Sequence, residues 1–239
     1  MPAILIQNLH KTYSHFSLGF RLKKFGALRN VSLSVRKGTI HGLLGLNGAG
    51  KSTLIKILAT LILPTKGRCI ILGRDVAKKA NAVKQLIGFI NSNERSFYYR
   101  LTGRQNLEFF AALYGTQNGI ANAIRLTGSS KWINRRFDTY SSGMRQRLAL
   151  ARGLLNNPEV ILADEPTLGL DIKVKAEIHQ YLIDLVKKGK TVLLATHDME
   201  EAKRLCDHIS VIQDGRITSS FENSREHIPD RGGYQDYFI

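Results

Sequence analysis

The 239-residue sequence predicts an α/β fold built on a mainly parallel sheet, and three observations predict it. The first is Gly45-Leu46-Asn47-Gly48-Ala49-Gly50-Lys51-Ser52, followed by Thr53, which fits the phosphate-binding pattern G-x-x-x-x-G-K-[ST] without mismatch. The second is an alternation of short continuous apolar runs with segments of helical spacing, the pattern of a parallel sheet covered on both faces. The third is Asp164-Glu165, two acids directly after one of those runs, where an open parallel sheet presents its ligand site.

The loop sits in the right context. Thr39 to Leu44 reads as a buried strand, and Lys51 to Leu58 as a helix with Leu54, Ile55, Ile57 and Leu58 towards a core. Glycines let successive backbone N–H groups turn inward on a polyphosphate, and the helix N-terminus adds partial positive charge at the same point. Lys51 supplies a full charge for the β- and γ-phosphates, and Ser52 a hydroxyl for Mg²⁺. A glycine-rich turn with a stray lysine would match the four fixed positions on the order of once in a hundred such chains, and the strand–loop–helix context lowers that further.

The remaining elements follow in order. Ala3–Ile6 and Val31–Val35 read as strands, separated by an irregular stretch from Ser14 to Ala27. Tyr13, just before that stretch, reads as a packing aromatic at a strand end. Leu63–Gly67 is a turn, and Cys69–Gly73 and Ile87–Ile90 are strands. From Glu94 to about Leu155 only helices and loops are expected, with a helix start at Thr102, so an inserted helical subdomain is predicted over 94–155. Val160–Ala163, Thr191–Thr196 and Ile209–Ile212 are strands, and Lys173–Lys188 is a helix stopped by Gly189. Asp198 with Glu201 is the N-terminal cap of a further helix, and 221–239 reads as a polar tail on a single domain covering 1–239.

Composition narrows the setting. No apolar run approaches the ~20 residues of a membrane span, and the N-terminus has no basic leader, which predicts a cytoplasmic protein. Cys69 and Cys206 lie far apart in apolar segments and read as reduced core thiols. A formal charge of +16 suits a polyanion, whether nucleotide, an anionic membrane face or nucleic acid, or simply a solvated basic surface.

Chemistry concentrates at strand ends. Asp164 can hold Mg²⁺ opposite Ser52, and Glu165 can act as general base on an attacking water. His197, at the end of another apolar strand, is placed to contact a γ-phosphate. Tyr140-Ser141-Ser142-Gly143-Met144-Arg145-Gln146-Arg147-Leu148, shortly before the Asp-Glu strand, resembles the signature sequence of ATP-binding cassette (ABC) proteins. Leu168-Gly169-Leu170-Asp171 is similar to that family's D-loop, and Thr196-His197-Asp198 to its switch-histidine segment. The resemblance spans about residues 3–217, and the stretch Arg100–Leu107 is most similar to exporters of the ABC-2 type.

The resemblance implies an ABC-type nucleotide-binding domain with an N-terminal antiparallel β subdomain beside the parallel sheet. It implies ATP and Mg²⁺ as ligands, Tyr13 as the adenine-stacking aromatic, and Ser141, Ser142 and Gly143 as closing the ATP site of a second ABC ATPase domain, in a homodimer or with a paralogue. It further implies an integral membrane permease subunit on a separate chain and a peripheral position on the cytoplasmic face of the membrane. Phe97, Tyr98 and Tyr99 are candidates for the permease surface or, equally, for a helical core. The sequence departs from the family in three places: Ser142 replaces a glycine, 115–139 is about two helical turns short, and the Q-loop glutamine is missing. Ser92, Asn93 and Glu94 stand in its place, and the sequence leaves open which of them substitutes. The alternative function is a soluble ABC-type ATPase acting on nucleic acid, ribosomes or a cofactor-assembly complex. One cassette without coiled coil or added binding domain weighs against it.

Overall fold

The computed structural model describes residues 1–17, 21–91 and 96–223. The chain opens with a long antiparallel hairpin, β1 (Ile4–Ser17) and β2 (Arg21–Val35). Then come β3 (Ile40–Leu44), α1 (Lys51–Leu58), β4 (Lys66–Ile71), β5 (Arg74–Asp75), α2 (Ala80–Lys84) and β6 (Ile87–Asn91). A helical run follows with α3 (Gly103–Tyr114), α4 (Ile120–Leu126) and α5 (Ser142–Gly153). The chain then alternates β7 (Val160–Asp164), α6 (Ile172–Lys187), β8 (Thr191–Thr196), α7 (Met199–Leu205), and the hairpin β9 (His208–Gln213) and β10 (Arg216–Glu222).

Two sheets result. One has the order β2-β1-β4-β5 and is antiparallel throughout. The other has the order β10-β9-β3-β8-β7-β6, with four of its five pairings parallel and β10 antiparallel to β9. Period-two alternation in the buried parallel strands feeds two separate cores. Val192 and Leu194 pack with α5, α6 and α7, whereas Leu193 and Ala195 pack with α1 and the antiparallel sheet. Each face is therefore covered, as continuous apolar runs require. Both cysteines are buried and form no disulfide among the described residues, and burial pushes the Cys69 thiol up to about 12, leaving it protonated and inert.

Three expectations are corrected. The described part of the stretch from Ser14 to Ala27, residues 14–17 and 21–27, is not irregular: it forms the outer part of the β1–β2 hairpin, with Tyr13 opposite Phe25. Cross-strand pairing with an irregularity between Lys11 and Thr12 holds it, so no clean alternation marks it in the sequence. The polar tail does not begin at 221, because β10 continues to Glu222 as an exposed edge strand held by β9. Lys66 and Gly67, read as turn residues, begin β4. Ser92, Asn93 and Glu94 lie outside the described residues, as does everything after Asn223.

Candidate functional site

Parallel register brings the strand ends to one edge. Leu44 of β3 lies beside Thr196 of β8, Asp164 of β7 beside Ala195, and Asn91 of β6 beside Asp164. The segments after β3, β7 and β8 therefore meet there, and these carry the phosphate loop, Glu165 and His197.

The loop is folded tightly against its neighbours. Gly45 N–H donates to the Thr196 carbonyl at 3.2 Å, and Ala49 N–H to the Leu46 carbonyl at 3.2 Å. Gly50 caps α1 with φ of 110°, and a Cβ there would lie 2.7 Å from the Ala27 carbonyl oxygen. Only glycine satisfies both conditions. Leu46, Asn47 and Gly48 are exposed, Ala49 is buried, and Thr53 is half-buried on α1.

Lys51 is buried, with its ammonium donating to the carbonyls of Gly45 at 2.6 Å and Leu46 at 3.2 Å. It also lies 3.3 Å from Glu165 Oε1. The other Glu165 oxygen, Oε2, is 2.8 Å from His197 Nδ1. Glu165 sits in the left-handed region with φ of 51°, its N–H held by the Ala195 carbonyl at 2.9 Å. Ser52 Oγ donates to Asp164 Oδ1 at 3.1 Å. Burial raises the Asp164 carboxyl above the usual carboxylate range, against the Ser52 hydrogen bond that lowers it, and the neighbouring Glu165 charge adds to the rise. Lys51, Ser52, Asp164, Glu165 and His197 thus form one contiguous group, assembled from residues up to 146 positions apart in the chain.

The signature residues are placed differently. Ser141 is the exposed N-cap of α5, its hydroxyl accepting from Met144 N–H at 3.3 Å. Ser142 is exposed and Gly143 is buried, where a Cβ would meet Val174 of α6 at 2.9 Å. Tyr13 stands on β1, 38% exposed, with Lys11 Nζ 5.0 Å from its ring centroid. Among the described residues no hydrogen bond or ion pair joins Tyr13 or Ser141–Gly143 to the phosphate loop.

The aromatic triplet divides. Phe97 is buried between Phe110 and Phe137, whereas Tyr98 and Tyr99 are about half exposed. Nearby, a cleft of about 960 Å³ opens between the end of α1, α2, β6, α3 and α5. Its lining includes Leu61, Phe89, Leu113 and Tyr114, and the buried Asn91 Oδ1, which has no partner among the described residues. No local sequence pattern marks this cleft, since its walls come from five separate elements.

A family model described as ABC transporter matches residues 28–168, more than half of the chain. The chain belongs to the ABC transporter family. The cassette is 39% identical over 196 residues to the ABC transporter ATP-binding protein NatA of Bacillus subtilis, a match covering 80% of each. It is 43% identical over 203 residues to the daunorubicin resistance ATP-binding protein DrrA3 of Streptomyces coeruleorubidus, covering 82% of this chain and 64% of that one. Among solved structures it superposes, with TM-score 0.78 and 27% identity, on a dimeric ATP-binding cassette in a post-hydrolysis state bound to ADP and Pi, over 92% of this chain and 98% of the other. A TM-score of 0.78 at 26% identity also relates it to cbiO1 from Clostridium perfringens, part of the ABC transporter complex cbiONQ, over 94% and 90% of the two chains. The cassette is accordingly an ATP-binding and ATP-hydrolysing subunit of the ABC transporter type. Among its described residues no helix is long and apolar enough to cross a membrane.

Proposed function

We propose that the cassette powers an exporter of the ABC-2 type, working as one of two paired ATPase domains beneath a separate membrane permease on the cytoplasmic face. The observation that carries the catalytic part is Glu165, whose carboxylate lies between Lys51 and His197 one residue after Asp164. Glu165 accepts the proton of the water that attacks the γ-phosphate, so that the bond to the leaving ADP breaks and inorganic phosphate forms. His197 holds the second Glu165 oxygen and fixes the carboxylate's orientation. Lys51 exchanges the Gly45 and Leu46 carbonyls for phosphate oxygens, and the N–H groups of Gly48, Ala49 and Gly50 complete the cradle around Gly45 to Thr53.

The residues present fit Mg²⁺. Ser52 Oγ and Asp164 Oδ1 are two hard oxygen donors 3.1 Å apart at the sheet edge, and Mg²⁺ keeps waters in its remaining positions. Bound there, it would neutralise phosphate charge.

Two surfaces support the partners. Ser141 exposes a helix N-terminus bonded only within its own cap, which suits closing the nucleotide site of a second copy or a paralogue. Tyr13 is exposed enough to offer a face to adenine. The helical run between β6 and β7 acts as an inserted arm, and its cleft, with Leu61, Leu113 and Tyr114 exposed at its rim, suits an apolar segment of the permease. The relative DrrA3, named for daunorubicin resistance, supports an exporter without fixing the cargo.

Glu165→Gln should keep ATP binding, abolish turnover and accumulate an ATP-bound dimer on size exclusion. Hydrolysis at the wild-type rate would remove Glu165 from the base role. Co-purification of a polytopic membrane protein with the tagged cassette supports the exporter reading. Nucleic-acid binding that persists at physiological salt would favour the soluble ATPase instead.

A further inference from the structure

Directly behind the Glu165–His197 pair lies a carboxylate that the reaction above does not use. Glu201, on α7, is 2% exposed. Its Oε1 accepts from Thr167 Oγ1 at 2.5 Å and from His179 Nε2 at 2.9 Å, and the Thr196 hydroxyl is a third donor. Burial by itself would raise the Glu201 carboxyl, but the hydrogen bonds from His179, Thr167 and Thr196 outweigh it and hold the group below its ordinary value. Glu201 is therefore an ionised carboxylate in the core.

Its partners are informative. Thr167 follows Glu165 by two residues, and Thr196 immediately precedes His197. Thr196 Oγ1 also accepts the N–H of Asp198 at 3.1 Å, and Asp198 is paired with Lys175 of α6. The same carboxylate thus accepts the hydroxyl of a threonine close in sequence to each member of the pair and ties both to α6 through His179. Glu165 meanwhile occupies a left-handed conformation that a residue with a side chain adopts only where its surroundings over-determine it. Thr167, two residues downstream, is buried and anchored on Glu201.

Stability alone does not call for this arrangement. A buried charge is expensive, and an apolar group of similar volume often serves a core equally well. Here the expense is compounded, because His179 Nδ1 is buried without a hydrogen-bond partner among the described residues. We propose that Glu201 is a positioning residue for ATP hydrolysis, holding Glu165 through Thr167 and His197 through Thr196 so that the two side chains meet in the geometry the reaction needs. The proposal rests on the reading of Glu165 and His197 as the catalytic pair.

Steady-state and single-turnover ATP hydrolysis by the full chain test it. Glu201→Gln should lower kcat by about ten- to hundredfold, the scale of a small misplacement of reacting groups, while KM for ATP stays within about twofold. In a His197→Ala background the same substitution should cost much less, because its effect runs through a contact already lost. Thr167→Val should lower kcat in the same direction, and Thr167→Ser, which restores the hydroxyl, should return it to within about twofold of wild type. If Glu201→Gln does not fold, the Thr167 pair decides. Unchanged kcat in Glu201→Gln, an equal penalty with and without His197, or equal activity of the two Thr167 variants would overturn the proposal. Full activity of Glu165→Gln or His197→Ala would instead overturn the catalytic pair itself.

Discussion

His41 pairs its Nε2 with Ser210 Oγ at 2.9 Å, and Ser210 in turn meets Ser220 Oγ at 2.7 Å. Burial first, and the stacked His208 second, lower its pKa from 6.5 to about 4. Because the folded value lies below the unfolded one, the unfolded chain takes up the proton first as pH falls. Stability is unaffected by this group above about 6.5, declines between about 6.5 and 4, and loses no more below that. The whole decline corresponds to roughly 3 kcal/mol. Urea unfolding of His41→Gln at pH 7.5 and 5 should show a shallower loss than wild type, and parallel losses would contradict it.

At this scale the motif residues were legible, because a phosphate loop declares Lys51 and Ser52 by local spacing alone. Glu201 was legible only as a capping partner of Asp198. The cap is real, with Glu201 N–H donating to Asp198 Oδ1 at 3.1 Å. Its carboxylate, however, turns to Thr167 and His179, which are 34 and 22 positions away, and no local pattern encodes those contacts.

Among the elements, α3 shows how local chemistry sets a boundary. Thr102 Oγ1 accepts from Gln105 N–H at 3.1 Å, and Gln105 Oε1 accepts from Thr102 N–H at 2.9 Å, a reciprocal capping box. Thr102→Ala removes one of these bonds and should cost about 1 kcal/mol in unfolding free energy. ATP affinity should be unchanged, since the cap makes none of the phosphate-loop contacts. A loss of ATP binding measured by a fluorescent analogue would mean that α3 reaches the nucleotide site after all. Elements with strong internal signals were legible in the sequence: the phosphate-loop helix, the continuous apolar strands, and α6, whose N-cap is Asp171 and whose end is Gly189 at φ of 83°. The outer hairpin and β10 were not. Their stability comes from ladder pairing with a neighbour, and their side chains carry too little apolar alternation to announce it.

For the molecule as a whole, the separation of Ser141 from the phosphate loop makes a strong demand. If two cassettes complete each other's sites, Lys51→Ala and Ser141→Arg should each be inactive alone. Mixed in equal amounts, they form pairs in which one site has both an intact loop and an intact signature. Random pairing should return about a quarter of wild-type activity, half of the pairs being mixed and each holding one of two sites. No recovery, with mixed pairs demonstrated by tag capture, would argue that each cassette completes its own site.

The outer hairpin also governs how the purified protein behaves in bulk. The β1–β4 ladder ends at His10, and Thr65 Oγ1 accepts the Thr12 N–H at 3.0 Å; past that point β1 pairs only with β2 among the described residues, and one backbone edge stays open. An open edge is a template on which another copy can add a strand. Lys11 and Lys24 lie on the same ribbon, and the chain carries a net +16, so like-charged copies repel before their edges meet. That repulsion reaches ~10 Å at 0.1 M salt and ~3 Å at 1 M. Light scattering should therefore report self-association that grows with added salt, and a monodisperse signal at both extremes would count against it. Low ionic strength, usually the risky condition for a concentrated protein, is the one that keeps this one dispersed.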